Sequence, residues 1–334
     1  MKKRTRQFVF VAAGILVIGL GTGLVASYVG LQNIVLIGQD GPAQFDYIPA
    51  DAQAVGFANV REVMDSELRK KILELHPGQD IPDFTEQTGI DIRTDVDEVV
   101  VAAFGGVAQE NPLVIVKGRF NPTNIESLIR EHGGTVEDYN GARILTHKEA
   151  GGAVAFLEPG IAAAGTPASV RRAIDTKASG QNIRNNDAIM KFVREVDGGN
   201  TWGVAHFDAI VGGRQLPPEI ASQLPPITWI TGSGNINGGV RATVRVEARD
   251  ETSANDLRQV VQGFIALARL QMGKRPEFAD LLNSLQLGGS GTTVSLSLEV
   301  PSTVIDALGA IARQRPNEVQ RGVTLKERRP LPAL

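Results

Sequence analysis

The hydrophobic and polar positions of the chain fall into two regimes. From Phe8 to Leu31 there is no charged side chain, and after Arg6 the next charge is Asp40. These 24 apolar or small residues would rise about 36 Å as a helix, enough to cross a hydrocarbon core of about 30 Å with some tilt. Lys2, Lys3, Arg4 and Arg6 precede the run and no positive charge follows it closely. The positive-inside rule then places residues 1–7 in the cytoplasm as a basic segment and the rest of the chain outside. Val25-Ala26-Ser27 could be read as a cleavage site, but a signal peptide has a shorter apolar region, about 7 to 15 residues, so an uncleaved transmembrane helix over 8–31 is expected. Gly19 and Gly23 place two small residues on one face of that helix, a spacing through which two copies could pair as a homodimer. Residues 32–46, with Gly38, Gly41 and Pro42, read as a spacer.

Beyond the spacer, apolar residues alternate at period two over short runs, with runs of helical spacing between them. Strands are expected at 54–60, 99–104, 113–120, 136–139, 142–145, 153–157, 161–164, 202–207, 227–230, 240–248 and 294–299. Helices are expected at 62–75, around Phe84, from the capping box Thr123-Asn124-Ile125-Glu126 to Gly133-Gly134, and at 167–174, 187–196, 253–270, 278–285 and 301–312. Asn140-Gly141 favours a two-residue type I′ hairpin turn. Both halves run strand, helical segment, strand pair, capped helix, further strand, short helix. The pattern therefore predicts an α+β fold of two modules, 47–198 and 199–312, each a mixed or antiparallel sheet packed by helices. An internal duplication and a coincidence between two α+β modules both account for the repeated order. Residues 313–334, with three prolines, six bases and little periodicity, are expected to form a disordered basic tail.

Composition narrows the function classes. With 42% hydrophobic and 21% charged residues, most of the 334-residue chain can bury a core, and 5% aromatic content implies a core of aliphatic side chains. The net charge of −3 conceals a segregation: the N-terminus and the tail each carry +4, leaving about −11 for the middle. An acidic middle repels phosphate backbones and argues against a nucleic-acid partner. The absence of cysteine removes thiol nucleophiles, thiolate metal sites and disulfides together.

Several short stretches carry a resemblance. Ile48-Pro49-Ala50-Asp51-Ala52, Thr88-Gly89-Ile90-Asp91 with Asp95-Val96-Asp97, Gly118-Arg119-Phe120, Tyr139-Asn140-Gly141 and Gly165-Thr166-Pro167 follow one another across residues 47–210. In this order they resemble a bacterial family of membrane-anchored proteins known only as a domain of unknown function. The resemblance implies an exported α+β protein behind a single anchor. It carries over no functional residue, because none is assigned in that family.

The candidate sites are few. Asp91, Asp95, Asp97 and Glu98 form the densest acidic cluster and are the only candidates for holding a hard cation such as calcium, although the loop lacks the glycine and the terminal glutamate of a twelve-residue calcium loop. Solvated turn residues before a strand are the competing reading. His206 with Asp208 and His147 with Glu149 have strand spacing for a ligand pair but no third ligand nearby. His76 and His132 sit where helices end, which suits a cation at the negative pole of the helix dipole. Gly232, Gly234, Gly238 and Gly239 match neither phosphate-binding glycine motif and read as a hairpin bend; Ser233 between them lacks a nearby base.

No cofactor and no catalytic residue is expected from these patterns. The leading expectation is a single-pass protein of the inner (cytoplasmic) membrane, its C-terminal portion outside the cytoplasm, with a non-catalytic binding or scaffolding role in the bacterial envelope and an envelope protein or lipid as partner. Two rivals stand beside it. One is a carrier of a lipid or other apolar ligand, which would need an apolar cavity between sheet and helices; the other is an envelope hydrolase whose carboxylates converge only in three dimensions.

Overall fold

The structure, a computed structural model, describes residues 41–67, 69, 90–104, 112–147, 151–196, 198–211, 225–236, 239–272 and 281–300. The expected anchor at 8–31, the basic segment 1–7, the helices around Phe84 and at 301–312, and the tail 313–334 lie outside these residues. No helix among the described residues is long and apolar enough to cross a membrane.

Period-two runs become strands where expected. The first module supplies β1 (Ala54–Asn59), β2 (Val96–Ala103), β3 (Leu113–Gly118), β4 (Thr135–Tyr139), β5 (Ala142–His147), β6 (Gly152–Glu158) and β7 (Ile161–Gly165). The second supplies β8 (Thr201–His206), β9 (Ile227–Ile236), β10 (Val240–Ala248), β11 (Gln286–Gly288) and β12 (Thr293–Val300). Asn140 and Gly141 both take positive φ, 47° and 84°, as a type I′ turn between β4 and β5 requires.

The helices are α1 (Val60–Asp65), α2 (Ile92–Asp95), α3 (Pro122–Glu131), α4 (Pro167–Ser179), α5 (Asp187–Val196), α6 (Phe207–Val211) and α7 (Glu251–Met272). Asn121, not the expected Thr123, caps α3 by accepting from the Asn124 amide, because Pro122 has the φ a first helical position needs and no N–H to satisfy. Helix α4 follows the same logic, with Thr166 as cap and Pro167 in its first turn.

All twelve strands join one antiparallel sheet in the order β11-β12-β10-β9-β8-β1-β2-β3-β7-β6-β5-β4. The expected boundary between residues 198 and 199 therefore falls inside one hydrogen-bonded sheet: β1 pairs with β2 on one side and with β8 on the other. Outward from the β1·β8 pair the two directions read alike. The order is β1, β2, β3, β7, β6 one way and β8, β9, β10, β12, β11 the other, with α1 after β1 as α6 after β8, and α3 after β3 as α7 after β10. Strands β4 and β5 extend the first half only.

Alternation along each strand separates the two faces. On the first face Val55 and Phe57, Val100 and Ala102, Leu113 and Ile115, and Trp202 and Val204 are buried under α4, α5 and a 3-10 turn at Ala43–Tyr47. Phe57 stacks on Trp202 at 5.6 Å, and Phe45 meets the same indole edge-on at 6.1 Å. Phe45 is fully buried and Tyr47 is 3% exposed, so residues 43–46, expected to be spacer, belong to the fold. Two aromatic side chains in six residues had to find a core.

Beyond β9 the apolar side changes. Thr243 and Arg245 of β10 and Ser295 and Ser297 of β12 continue the first face, while Val244, Val246, Val294 and Leu296 lie on the second, as the cross-strand registers require. There Ala254 and Leu257 of α7 close over Ala248 and Val294. The glycines expected at a hairpin bend are a correction: Gly232 and Gly234 lie inside β9, which runs to Ile236. A side chain on Gly199 would come within 2.6 Å of the Gly234 carbonyl oxygen, so the strand end and the β8 approach require small residues.

Trp202→Ala should lower unfolding free energy by about 3–5 kcal/mol, because its ring fills the junction of β1, β8 and the 3-10 turn. Urea denaturation with an unchanged slope checks this; a loss under 1 kcal/mol would mean the junction repacks around the gap.

Candidate functional site

The densest charged network joins the 3-10 turn to α4 and the β6–β7 turn. Tyr47 donates its hydroxyl hydrogen to Glu158. Lys177 reaches Asp46 at 2.8 Å and Glu158 at 3.2 Å, and Arg184 reaches Asp46 at 2.6 Å and donates to the Pro42 carbonyl at 2.9 Å. Helix α4 places Lys177 in its last turn, where a cation also answers the helix dipole. Burial, then the hydrogen bond to Glu158 and its negative charge, push the Tyr47 hydroxyl well above the ordinary tyrosine value. Partial burial pushes the Asp46 carboxyl up, but the hydrogen bonds and charges of Lys177 and Arg184 outweigh it and hold the group below its ordinary value. Tyr47 and then Lys177 hold Glu158 low as well, and Asp46 and then Glu158 hold Lys177 high. Both carboxyls move the same way, whereas an acid–base pair needs them displaced apart. The network fastens a segment. Tyr139 and Asn140 add a second tie by donating to Asp175 of α4 at 2.9 Å each.

The four acidic candidates do not converge. Asp91 caps α2 and pairs with Arg93, whose hydrogen bonds hold its carboxyl below the ordinary value. Asp95 accepts from the Asp91 amide at 2.9 Å. Asp97 pairs with Arg61 of α1, while Glu98 accepts from Gln44 and Lys117, each at 2.9 Å. Adjacent strand residues point to opposite faces, so Asp97 turns toward α1 and Glu98 toward the 3-10 turn. No group of three or more histidine or acidic side chains among the described residues is placed to hold a metal ion.

The histidines divide. His206 lies 3.6 Å from Asp208, although the strand expected to carry both ends at His206 and Asp208 stands in the first turn of α6, and it meets Trp229 edge-on at 5.1 Å. His132 closes α3, its Nδ1 2.8 Å from the Leu128 carbonyl oxygen. His76, Lys148 and Glu149 lie outside the described residues, and His147 ends β5.

A feature with no signal in strand or helix periodicity is an open cleft of about 420 Å³ between α7 and β11, lined by Ile265, Ala266, Leu285 and Leu287 with Arg258 and Arg269. Its wall opposite α7 is β11 with Leu285 before it. The tripeptide Gln286-Leu287-Gly288 is too short for its alternation to register.

No family model matches the chain, and no curated protein matches it. Among solved structures it is similar to TP0453 in three crystal forms. Form IV has TM-score 0.47 and 11% identity, covering 80% of this chain and 95% of that one. Form III has 0.48 and 8%, covering 81% and 99%, and form I has 0.47 and 7%, covering 81% and 98%. Likeness at this level says nothing of function.

Lys177→Met and Tyr47→Phe should each cost about 1 kcal/mol, as partly exposed ion pairs and single hydrogen bonds do. The pH dependence has two edges. Asp46 and Glu158 have depressed pKa values, so their contribution is full above their ordinary values of 3.8 and 4.5 and is lost as pH falls through the lowered ones. Lys177 is raised, so its contribution is full below 10.5 and is lost as pH rises through the raised value. The wild-type advantage over Lys177→Met in urea midpoint should be flat between about pH 5 and pH 10 and shrink at both ends; an advantage unchanged at pH 2 would remove the network from the account. Calcium at millimolar concentration should leave the melting temperature unchanged, since the four carboxylates already have other partners; a clear rise would mean they rearrange around the ion.

Proposed function

We propose that the chain is a single-pass protein of the cytoplasmic membrane whose α+β portion lies outside the cytoplasm and binds or organises another envelope component without catalysis. The observation that carries this reading is the uncharged run from Phe8 to Leu31 behind four basic residues. The place where the fold begins adds support. Phe45 and Tyr47 are buried and Asp46 is tied to Lys177 and Arg184, so the chain leaves any membrane through a connection of about ten residues, at most about 36 Å when extended. A tether that short holds the fold at the bilayer, which suits a scaffold that must act there.

We also read the two halves as an internal duplication. The matching strand order on either side of the β1·β8 pair supports it.

The full-length protein should sediment with membranes and stay there in carbonate. Protease added to cells with a permeabilised outer layer should digest the chain beyond residue 40 and leave residues 1–7 protected. A mature soluble protein beginning near Tyr28 would replace the anchor by a cleaved signal, and protection of the large portion would invert the orientation.

A further inference from the structure

Helix α7 carries an apolar stripe that the fold does not bury. Phe264 is 67% exposed, Leu267 51% and Leu270 76%, and Val244 beneath them on β10 is 45% exposed; these are the exposed large hydrophobics among the described residues. Phe264, Leu267 and Leu270 recur every third residue and so run along one side of the helix. Ala254, Leu257 and Val261 of α7 pack in a cluster with Ala248 and Val246 of β10. Moving two strand residues on, to Val244, covers about 6.6 Å, which corresponds to four or so helix residues and arrives at Ile265, next to Phe264. Arg258 clamps the first half of the helix by donating to the carbonyls of Gly291 and Thr293 at 3.0 and 2.9 Å. Beyond Leu257 no described side chain of α7 is fully buried.

Charge and area select the occupant. From Arg258 to Met272 the helix has no acid, two arginines and this stripe, and the sequence continues with Lys274 and Arg275. With Arg258 held at Gly291 and Thr293, the local positive charge is that of Arg269, which also reaches the Leu282 carbonyl at 3.4 Å, and of Lys274 and Arg275, in a part of the chain that is acidic overall. The stripe exposes a few hundred Å², so pairing with a second copy would bury less than the roughly 1,000 Å² that a stable protein interface needs. A bilayer imposes no such requirement for a matching surface, and a weak apolar element suffices where a second signal already holds the chain at the membrane.

We propose that the C-terminal half of α7 docks on an anionic lipid surface, inserting Phe264, Leu267 and Leu270 among the acyl chains with Arg269 at headgroup level. This rests on the anchored reading of residues 8–31 and gives the chain two membrane contacts, one at the N-terminus and one at the far edge of the sheet. The sheet is then held against the bilayer at two points.

The test uses the full chain carrying Phe264→Trp, reconstituted in vesicles of equal parts phosphatidylglycerol and phosphatidylcholine with brominated acyl chains. The added indole should be blue-shifted and quenched about twofold relative to unbrominated vesicles, after subtraction of the wild-type signal. Adding Leu267→Glu and Leu270→Glu should abolish the quenching while the protein still floats with the vesicles and keeps its circular dichroism. An indole added at Arg194, on the opposite face of the sheet, should not be quenched. Water-like emission without quenching overturns the proposal. So does a blue shift that ignores bromine and grows with the protein-to-lipid ratio, which would assign the stripe to a second copy. Equal quenching in pure phosphatidylcholine would overturn the role of charge. Failure of the wild type to float overturns the anchor and this proposal together, whereas flotation without quenching overturns this one alone.

Discussion

Strand β1 has hydrogen-bonding partners on both edges, and the rest of the molecule is arranged by that fact. Its register with β2 puts Phe57 opposite Val100, and its register with β8 puts Phe57 opposite Trp202, so one side chain belongs to the cores of both halves. Phe45 arrives from the N-terminal turn to complete the aromatic group. The indole nitrogen of Trp202 and Oε1 of Gln44 find no hydrogen-bond partner among the described residues, and a buried group left so costs about 1–3 kcal/mol. The stacked rings must outweigh that, which three buried aromatics at 150–250 Å² each can do. Rotating or separating the halves would require breaking the β1·β8 ladder and exposing this group at once.

Joining the halves through β8 also explains how much could be read from the chain. Local chemistry was legible: Asn140-Gly141 marked its turn, Pro167 marked the start of α4, and period-two runs marked most of the strands. These signals lie within a few residues of the structure they specify. The pairing of residues 54–59 with 201–206 does not, because nothing in either strand alone records which partner its edge will find. Phe45 falls in the expected spacer 32–46 for a related reason. A six-residue segment has no periodicity to display, and only the cavity it fills, built from strands far along the chain, gives it a place.

The candidate site fared differently. Density of carboxylates along the chain was a poor guide to density in space, because strand alternation sends Asp97 and Glu98 to opposite faces, where separate cations meet them. The charges that do converge, Asp46, Glu158, Lys177 and Arg184, are separated by up to 138 residues and left no local trace. Their shared effect is to lock the 3-10 turn to α4.

The exchange of apolar face beyond β9 links the fold to the stripe on α7. In the first half the sheet buries its aliphatic face under two helices, and Ala163, Ala155 and Ala153 let α4 approach closely. In the second half the same face carries Thr243, Arg245, Ser295 and Ser297, and the aliphatic side is covered by one helix, tied by Arg258 to Gly291 and Thr293 and by Arg269 to Leu282. A 22-residue helix is about 33 Å long, whereas a nine-residue strand spans about 30 Å and the small cluster holding the two together ends at Val261. The last turns of α7 thus leave the strand cluster and meet the 281–288 segment through Ile265, Ala266 and Arg269, while Phe264, Leu267 and Leu270 stay exposed. An isolated core would end such a helix earlier or make its outer face polar; keeping phenylalanine and two leucines there makes physical sense where the far side of the helix meets something other than water.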